Sequence, residues 1–259
     1  MVSNFAEYVK SLDLEQFFSK LSAANPEALA KSVRHFTAKE GEKRDAIVQG
    51  YFGDEGVNRI VEAIAERLLA PPSLRTGSNV LDVGAGSGFF TAKIAEKVNR
   101  VVPNVAFYAM DATPAMLLAL AKKRVGITPF LGVAENIKAS IKEAKAYAEI
   151  PAKFNAAFST LMLHHSVNPE KVFGSIKKVL TKNGKAIILD LCLHKFEEFK
   201  TEMGDVHLGF KLDRVQKMAE AYFAKVEIEK MSGICCSHSG RTAELFAASM
   251  QGTTLKTVI

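Results

Sequence analysis

Residues Val80 to Phe90 read VLDVGAGSGFF, and the fold can be worked outward from them. An apolar run ends at Asp82-Val83, Gly84, Gly86 and Gly88 follow at two-residue spacing, and a helical period opens at Phe89. Glycine reaches positive φ at no Cβ cost and lets a ligand approach the main chain, while a helix N-terminus offers unpaired N–H groups. Strand, glycine turn and helix therefore predict a nucleotide-type ligand at the carboxyl edge of a parallel sheet. The spacing narrows the ligand. A dinucleotide fingerprint, G-x-G-x-x-G, needs glycine where Phe89 stands, and a Walker loop needs Gly-Lys-Ser/Thr, which is absent. G-x-G-x-G fits instead.

Downstream, short apolar runs alternate with helical periods. Strands are expected at Asn79 to Val83, Val105 to Met110, Ile127 to Leu131, Ala156 to Leu163, Lys185 to Leu191, Val226 to Met231 and Ala243 to Met250. Helices should start near Gly88, Pro114, Asn136 and Pro169, which implies a parallel sheet covered on both faces. The last two strands are separated by MSGICCSHSGRT, with no room for a crossover helix, so they should pair antiparallel. The expected class is α/β: a Rossmann-like, mostly parallel seven-stranded sheet with an antiparallel C-terminal hairpin. Upstream, Phe5, Tyr8, Val9 and Leu12 recur at helical spacing, Asn25-Pro26 reads as a helix start, and Val57, Ile60, Val61, Ile64 and Leu68 mark a long helix before Pro71-Pro72. Residues 1–70 thus form a helical lead-in or lid, and residues 71–259 a ligand-binding domain.

At 259 residues, 48% hydrophobic and 24% charged, the chain can bury a core without covalent staples. Three cysteines, Cys192, Cys235 and Cys236, are too few and too uneven for a disulfide framework, and no basic-then-apolar leader opens the chain. A reducing, cytoplasmic setting is expected. No apolar run is long enough to span a membrane. The +6 net charge comes from scattered lysines rather than a block, so nucleic acid is not expected as a partner.

With these features the chain resembles the class I S-adenosylmethionine-dependent methyltransferases. Their acidic-x-G-x-G-x-G motif is matched by Asp82, Gly84, Gly86 and Gly88, with Ala85 inside it, and their ribose-binding acid after the second strand by Asp111, followed by Ala112. Ala134 and Glu135 stand where the third strand should turn toward adenine, and Thr160 where the fourth should end beside the transferable methyl. The resemblance implies S-adenosylmethionine as cofactor, S-adenosylhomocysteine as product, and these residues as its binders. Relatives often carry Asp where Val133 stands, and many lack the charged helix NIKASIKEAKAYAEI.

The acceptor is less legible. LMLHHS differs from the Asn/Asp-Pro-Pro-aromatic motif of amino-methyltransferases acting on nucleic-acid bases. DLCLHKFEEFKTEMGDVHLGF, Asp190 to Phe210, resembles small-molecule relatives of the quinone-biosynthesis and arsenite types, which implies a pocket wall carrying Asp190, His194 and Leu208-Gly209-Phe210. The candidate catalytic residues are His165, His194 and His164. If the apolar run ending in His164-His165 is a strand, the two side chains diverge, and His165 should lie nearer the pocket mouth. Tyr51 and His207 are candidate substrate contacts, and no metal is expected. The primary reading is methyl transfer to a small molecule. Arsenite or thiol methylation, RNA or protein methylation, and a cofactor-binding adaptor without turnover are the alternatives.

Overall fold

The structure, a computed structural model, describes residues 2–23, 25–34, 38–238 and 240–252. Helices α1 (Val2–Ser11), α2 (Leu14–Lys20), α3 (Pro26–Arg34) and α4 (Ala38–Leu69) precede the sheet. The chain then alternates β1 (Asn79–Val83), α5 (Phe89–Val101), β2 (Ala106–Asp111), α6 (Pro114–Lys122), β3 (Thr128–Leu131), α7 (Ile137–Ala144), β4 (Phe154–Thr160), α8 (Pro169–Val179) and β5 (Leu180–Leu191). Two short helices, α9 (Glu198–Glu202) and α10 (Leu212–Glu220), lead to β6 (Lys225–His238) and β7 (Arg241–Gln251).

The strands lie in the order β3-β2-β1-β4-β5-β7-β6, with β1 to β5 parallel and β7 antiparallel to both neighbours. After β3 the chain crosses to the other side of β1, so the order reverses between β1 and β4. A crevice opens at that point along the carboxyl edge, where such sheets bind ligands. Successive residues serve opposite faces: Val80 packs with Ile60, Ile64, Ile94 and Phe158, and Leu81 with Phe130, Phe154, Phe173 and Phe246. Each such side chain contributes roughly 1.5–3 kcal/mol by leaving water.

The N-terminal helices build a third cluster, in which Phe17, Phe18 and Leu21 meet Leu117, Leu131 and Val133. The segment after α7 explains the inserted charged helix. Tyr147 packs its ring 5.5 Å from Phe5 and 4.2 Å from Tyr8, and its hydroxyl accepts the Leu131 N–H at 2.9 Å. The insertion thus ties α1 to the edge strand β3. Helix α4 is interrupted at Gly53, whose φ of 64° and ψ of 178° break it into two rods.

Two expectations need correction. The fourth strand ends at Thr160, not Leu163: Leu161 turns to φ 56°, and Leu163 to His165 form a single 3-10 turn. The cause lies outside the local pattern, since the Leu163 N–H donates to the Asp190 side chain at 2.8 Å. The segment MSGICCSH is not a loop but the second half of β6, paired with β7 across an irregularity between Met231 and Cys235 where Gly233 takes φ 70°. A bulge absorbs the glycine and lets pairing continue.

Candidate active site

The glycine turn is built as the spacing requires. Gly84, Gly86 and Gly88 have φ of 78°, 53° and 72°. A Cβ on Gly84 would lie 2.1 Å from Met162 Cγ and one on Gly88 2.4 Å from Leu120 Cδ1, whereas one on Gly86 would meet nothing within 4 Å. The outer glycines serve packing, and the middle one faces open space. The N–H groups of Gly84 and Ala85 both donate to Met110 O, which ties the loop to the end of β2 beside that space.

Asp111 ends β2 and turns back to the loop. Its Oδ2 accepts the Gly86 N–H and its Oδ1 the Thr113 N–H, both at 2.8 Å. The Thr113 side chain also hydrogen-bonds this carboxylate, which leaves part of its acceptor capacity for a ligand's hydroxyls. Burial raises this carboxyl's pKa, while the Thr113 and Gly86 bonds oppose the rise. Asp82 is fully buried, its Oδ2 accepting the Thr91 hydroxyl at 2.6 Å. Burial pushes its pKa up to about 7 against that bond, with the Asp111 charge adding to the rise. Among the described residues Asp82 Oδ1 and Thr160 Oγ1 are buried without a hydrogen-bond partner, so this wall presents polar atoms that a polar ligand would satisfy. Ala112 adjoins Asp111, Ala134 is buried in the turn after β3, and Glu135 accepts the Ser166 hydroxyl at 2.7 Å.

A roof covers this cradle. Ser87 Oγ donates to Asp45 Oδ1 at 2.7 Å, and Lys123 Nζ donates to Asp45 Oδ2 at 2.6 Å and to Ser87 O at 2.8 Å. The first rod of α4 is thereby fastened over the glycine loop. From the same rod, Arg44 hydrogen-bonds Tyr51 and acts electrostatically on Asp111, His164 and His165. Tyr51 is half-buried, and its pKa is raised by burial against the pull of Arg44. No sequence signal had marked Asp45, Arg44 or Lys123.

The histidines differ from their expected placement. On a 3-10 turn rather than a strand, the rings of His164 and His165 lie side by side, with centroids 4.1 Å apart. The expected divergence therefore does not occur. Buried His164 places Nδ1 2.6 Å from Asp190 Oδ1 and Nε2 3.6 Å from Asp205 Oδ1. Burial depresses its pKa, but the two carboxylates outweigh that and raise it. His165 is half-buried, its Nδ1 3.1 Å from Gly204 O, and burial together with the His164 charge lowers its pKa to about 3. Asp205 reaches this place because the Val206 and His207 N–H groups both donate to His164 O, at 3.1 and 2.9 Å. Nothing in the sequence had singled out Asp205.

His194 and His207 lie in the same wall but are otherwise engaged. His194 Nδ1 accepts the Phe196 N–H at 3.3 Å, with the ring stacked on Phe196 and edge-on to Phe199, and burial lowers its pKa. His207 Nε2–H donates to Ser166 O at 3.1 Å, and its pKa is lowered by burial first and then by Arg214. Cys192 is half-buried and bridges Phe210; Cys236 is buried in β6; the side chain of Cys235 lies outside the described residues.

Residues 74–232 match the family described as methyltransferase domain. The biotin biosynthesis bifunctional protein BioHC of Teredinibacter turnerae is 23% identical over 169 residues, 62% of this chain and 29% of that protein. Among solved structures, Haemonchus contortus phosphoethanolamine N-methyltransferase 2, bound to phosphomonomethylethanolamine and S-adenosylhomocysteine, aligns at TM-score 0.59 and 15% identity over 85% of this chain and 59% of that one. The CurJ carbon methyltransferase aligns at TM-score 0.63 and 13% identity over 83% and 60%. The chain thus spans less than two thirds of each of these relatives. With the matched segment running from the approach to β1 into β6 and the glycine-Asp111 cradle inside it, the chain belongs to the methyltransferase-domain family.

Proposed function

We propose that this enzyme methylates a small-molecule acceptor held between the cradle, the 164–165 turn and the 190–210 segment, with residues 1–70 as its lid. The observation that carries the reading is Asp111, whose two oxygens are each fixed by a backbone N–H beside the open space at Gly86. S-adenosylmethionine bound there supplies a methyl group activated on a sulfonium. Asp111 would accept the ribose hydroxyls with its remaining lone pairs, and Ala112, Ala134 and Glu135 would border the base. Asp82 Oδ1 and Thr160 Oγ1 would find polar partners in the same ligand.

Alignment is then the protein's main task, because an in-line displacement needs no covalent enzyme intermediate. The Asp45-Ser87-Lys123 fastening holds the roof down and keeps water out, which strengthens every electrostatic contact beneath it. His164 faces the acceptor: Asp190 accepts a hydrogen bond from its Nδ1–H and leaves Nε2 as the atom for chemistry. Arg44 and Tyr51 hang above it from the lid. The acceptors named for the two structural relatives, a phosphoamine and a carbon centre, are chemically unlike, so this chain's own wall sets its acceptor.

Calorimetric titration with S-adenosylmethionine, followed by mass spectrometry of S-adenosylhomocysteine formed over a panel of thiol, amine, hydroxyl, carbon-acid and arsenite acceptors, tests this. Saturable binding with turnover on one small acceptor is expected. Binding with no turnover on any, or turnover only on RNA or protein, would overturn it.

A further inference from the structure

Once methyl transfer is assigned, one group of side chains has a geometry that it does not explain. His164 Nε2 and Asp205 Oδ1 face each other at 3.6 Å, both buried. That separation is too long for a hydrogen bond. It is, however, the edge expected between two ligands of one metal ion: donors each about 2.1 Å from a four-coordinate centre stand roughly 3.4–3.6 Å apart. A donor atom from His165 completes the set, since one such atom from each of the three residues lies within 4.8 Å of the other two.

The surroundings hold these donors as metal ligands are held. His164 Nδ1 is tied to the Asp190 carboxylate at 2.6 Å and His165 Nδ1 to the Gly204 carbonyl at 3.1 Å, so each ring, donating Nδ1–H to an outer oxygen, keeps Nε2 for a metal. A carboxylate or carbonyl behind each imidazole is the usual outer support of a histidine ligand, fixing both tautomer and orientation. Asp190 is in turn held by the Leu163 and Leu191 N–H groups, and the Asp205 loop is pinned to the His164 carbonyl through Val206 and His207. A dication would also offset two buried carboxylates that share one chamber.

We propose that His164, His165 and Asp205 form a three-ligand site for a zinc-type divalent transition-metal ion. Two imidazoles and one carboxylate leave a fourth position open, as in catalytic rather than structural sites. The site stands whatever the reaction, but it deepens the methyl-transfer reading and rests on it in one respect. The open position would take the acceptor's heteroatom as an anion, a hydroxyl or thiol that releases its proton to solvent on binding. No metal is expected from the sequence, where Asp205 stands 40 residues beyond His165 and only the fold brings the three ligands together.

Cobalt(II) is the probe. The full chain, stripped with chelator and dialysed, is titrated with Co²⁺ while visible d–d absorption is followed, and S-adenosylmethionine affinity is measured on the same samples. One Co²⁺ per chain with the absorption of a four-coordinate ion is expected. His165→Ala and Asp205→Asn should abolish it, and Asp190→Asn should weaken it about 10–100-fold. Retained S-adenosylmethionine affinity and thermal transition show that each variant is folded. Asp111→Ala should weaken cofactor binding and keep the cobalt. Octahedral, weakly absorbing Co²⁺, or binding unchanged in both ligand variants, would overturn the site while leaving the methyl-transfer reading intact. Cobalt bound as proposed, without any S-adenosylmethionine affinity in the unaltered chain, would do the reverse.

Discussion

The cradle around Gly86 and the wall around His164 lie at adjacent strand ends but are made in different ways. The cradle comes from one strand-turn-helix-strand unit, and its contacts are largely backbone: the Gly86 and Thr113 N–H groups on Asp111, and the Gly84 and Ala85 N–H groups on Met110. The wall gathers side chains from the turn after β4, the end of β5, the loop before α10 and the roof helix α4. A site made of local main-chain conformation is written in glycines at fixed spacing. One made of tertiary assembly is spread over the chain, and each half should fail in its own way when altered.

Gly86→Val is expected to cost the most. A branched side chain would fill the open space and strain a residue at φ 53°, reducing S-adenosylmethionine affinity at least ~100-fold while the thermal transition persists. Calorimetry showing normal binding would separate the cradle from the cofactor. On the other half, His164→Ala should lower turnover about 10²–10⁴-fold and leave cofactor affinity within about twofold. Equal losses in both quantities would merge the two halves into one.

Asp82 probes the cradle through pH. Its folded-state pKa of about 7 stands above the ordinary 3.8, so the folded chain holds a proton that the unfolded chain has released. Unfolding free energy should therefore fall as pH rises from about 4 to 7 and be flat for this group above that, by about 4 kcal/mol at most. Asp82→Asn should remove this slope in denaturant titrations at pH 5 and 7.5; parallel curves for the two proteins would refute the assignment. Asp111→Ala should weaken cofactor binding by about 1–3 kcal/mol, read by calorimetry, since it removes charged acceptors rather than space. Lys123→Ala, which cuts a partly exposed ion pair in the roof, is expected to be mildest, costing about 0.5–1 kcal/mol and speeding cofactor release a few-fold in stopped-flow displacement.

The same contrast accounts for what could be read in advance. β1, the helix starts at Pro114 and Pro169, the parallel order and the antiparallel end follow from hydrophobic period and turn chemistry, and the structure has them. The end of β4 was not legible, because Leu161-Met162-Leu163 is as apolar as a strand, yet Leu161 turns to φ 56° and the Leu163 N–H bonds Asp190 on β5. Asp205 sits among Gly204, Val206 and His207 in a segment whose composition signals a turn, and its role depends on two backbone bonds to His164. Asp45 and Lys123 read as ordinary surface charges until α4 is laid across the glycine loop.

The two ends of the 190–210 segment are tied to each other through the main chain. Leu193 and His194 donate to Phe210 O and Leu208 O, Phe210 donates to Leu191 O, and Gly209, at φ 72°, lets the strands approach where any Cβ would strike Cys192 O. Bonds of this kind do not depend on which side chains lie between them. Within Lys195 to Glu202 the exposed Lys195, Lys200 and Thr201 can therefore be rewritten by drift or by design, while Phe196 and Phe199, packed on His194, hold the stretch in place.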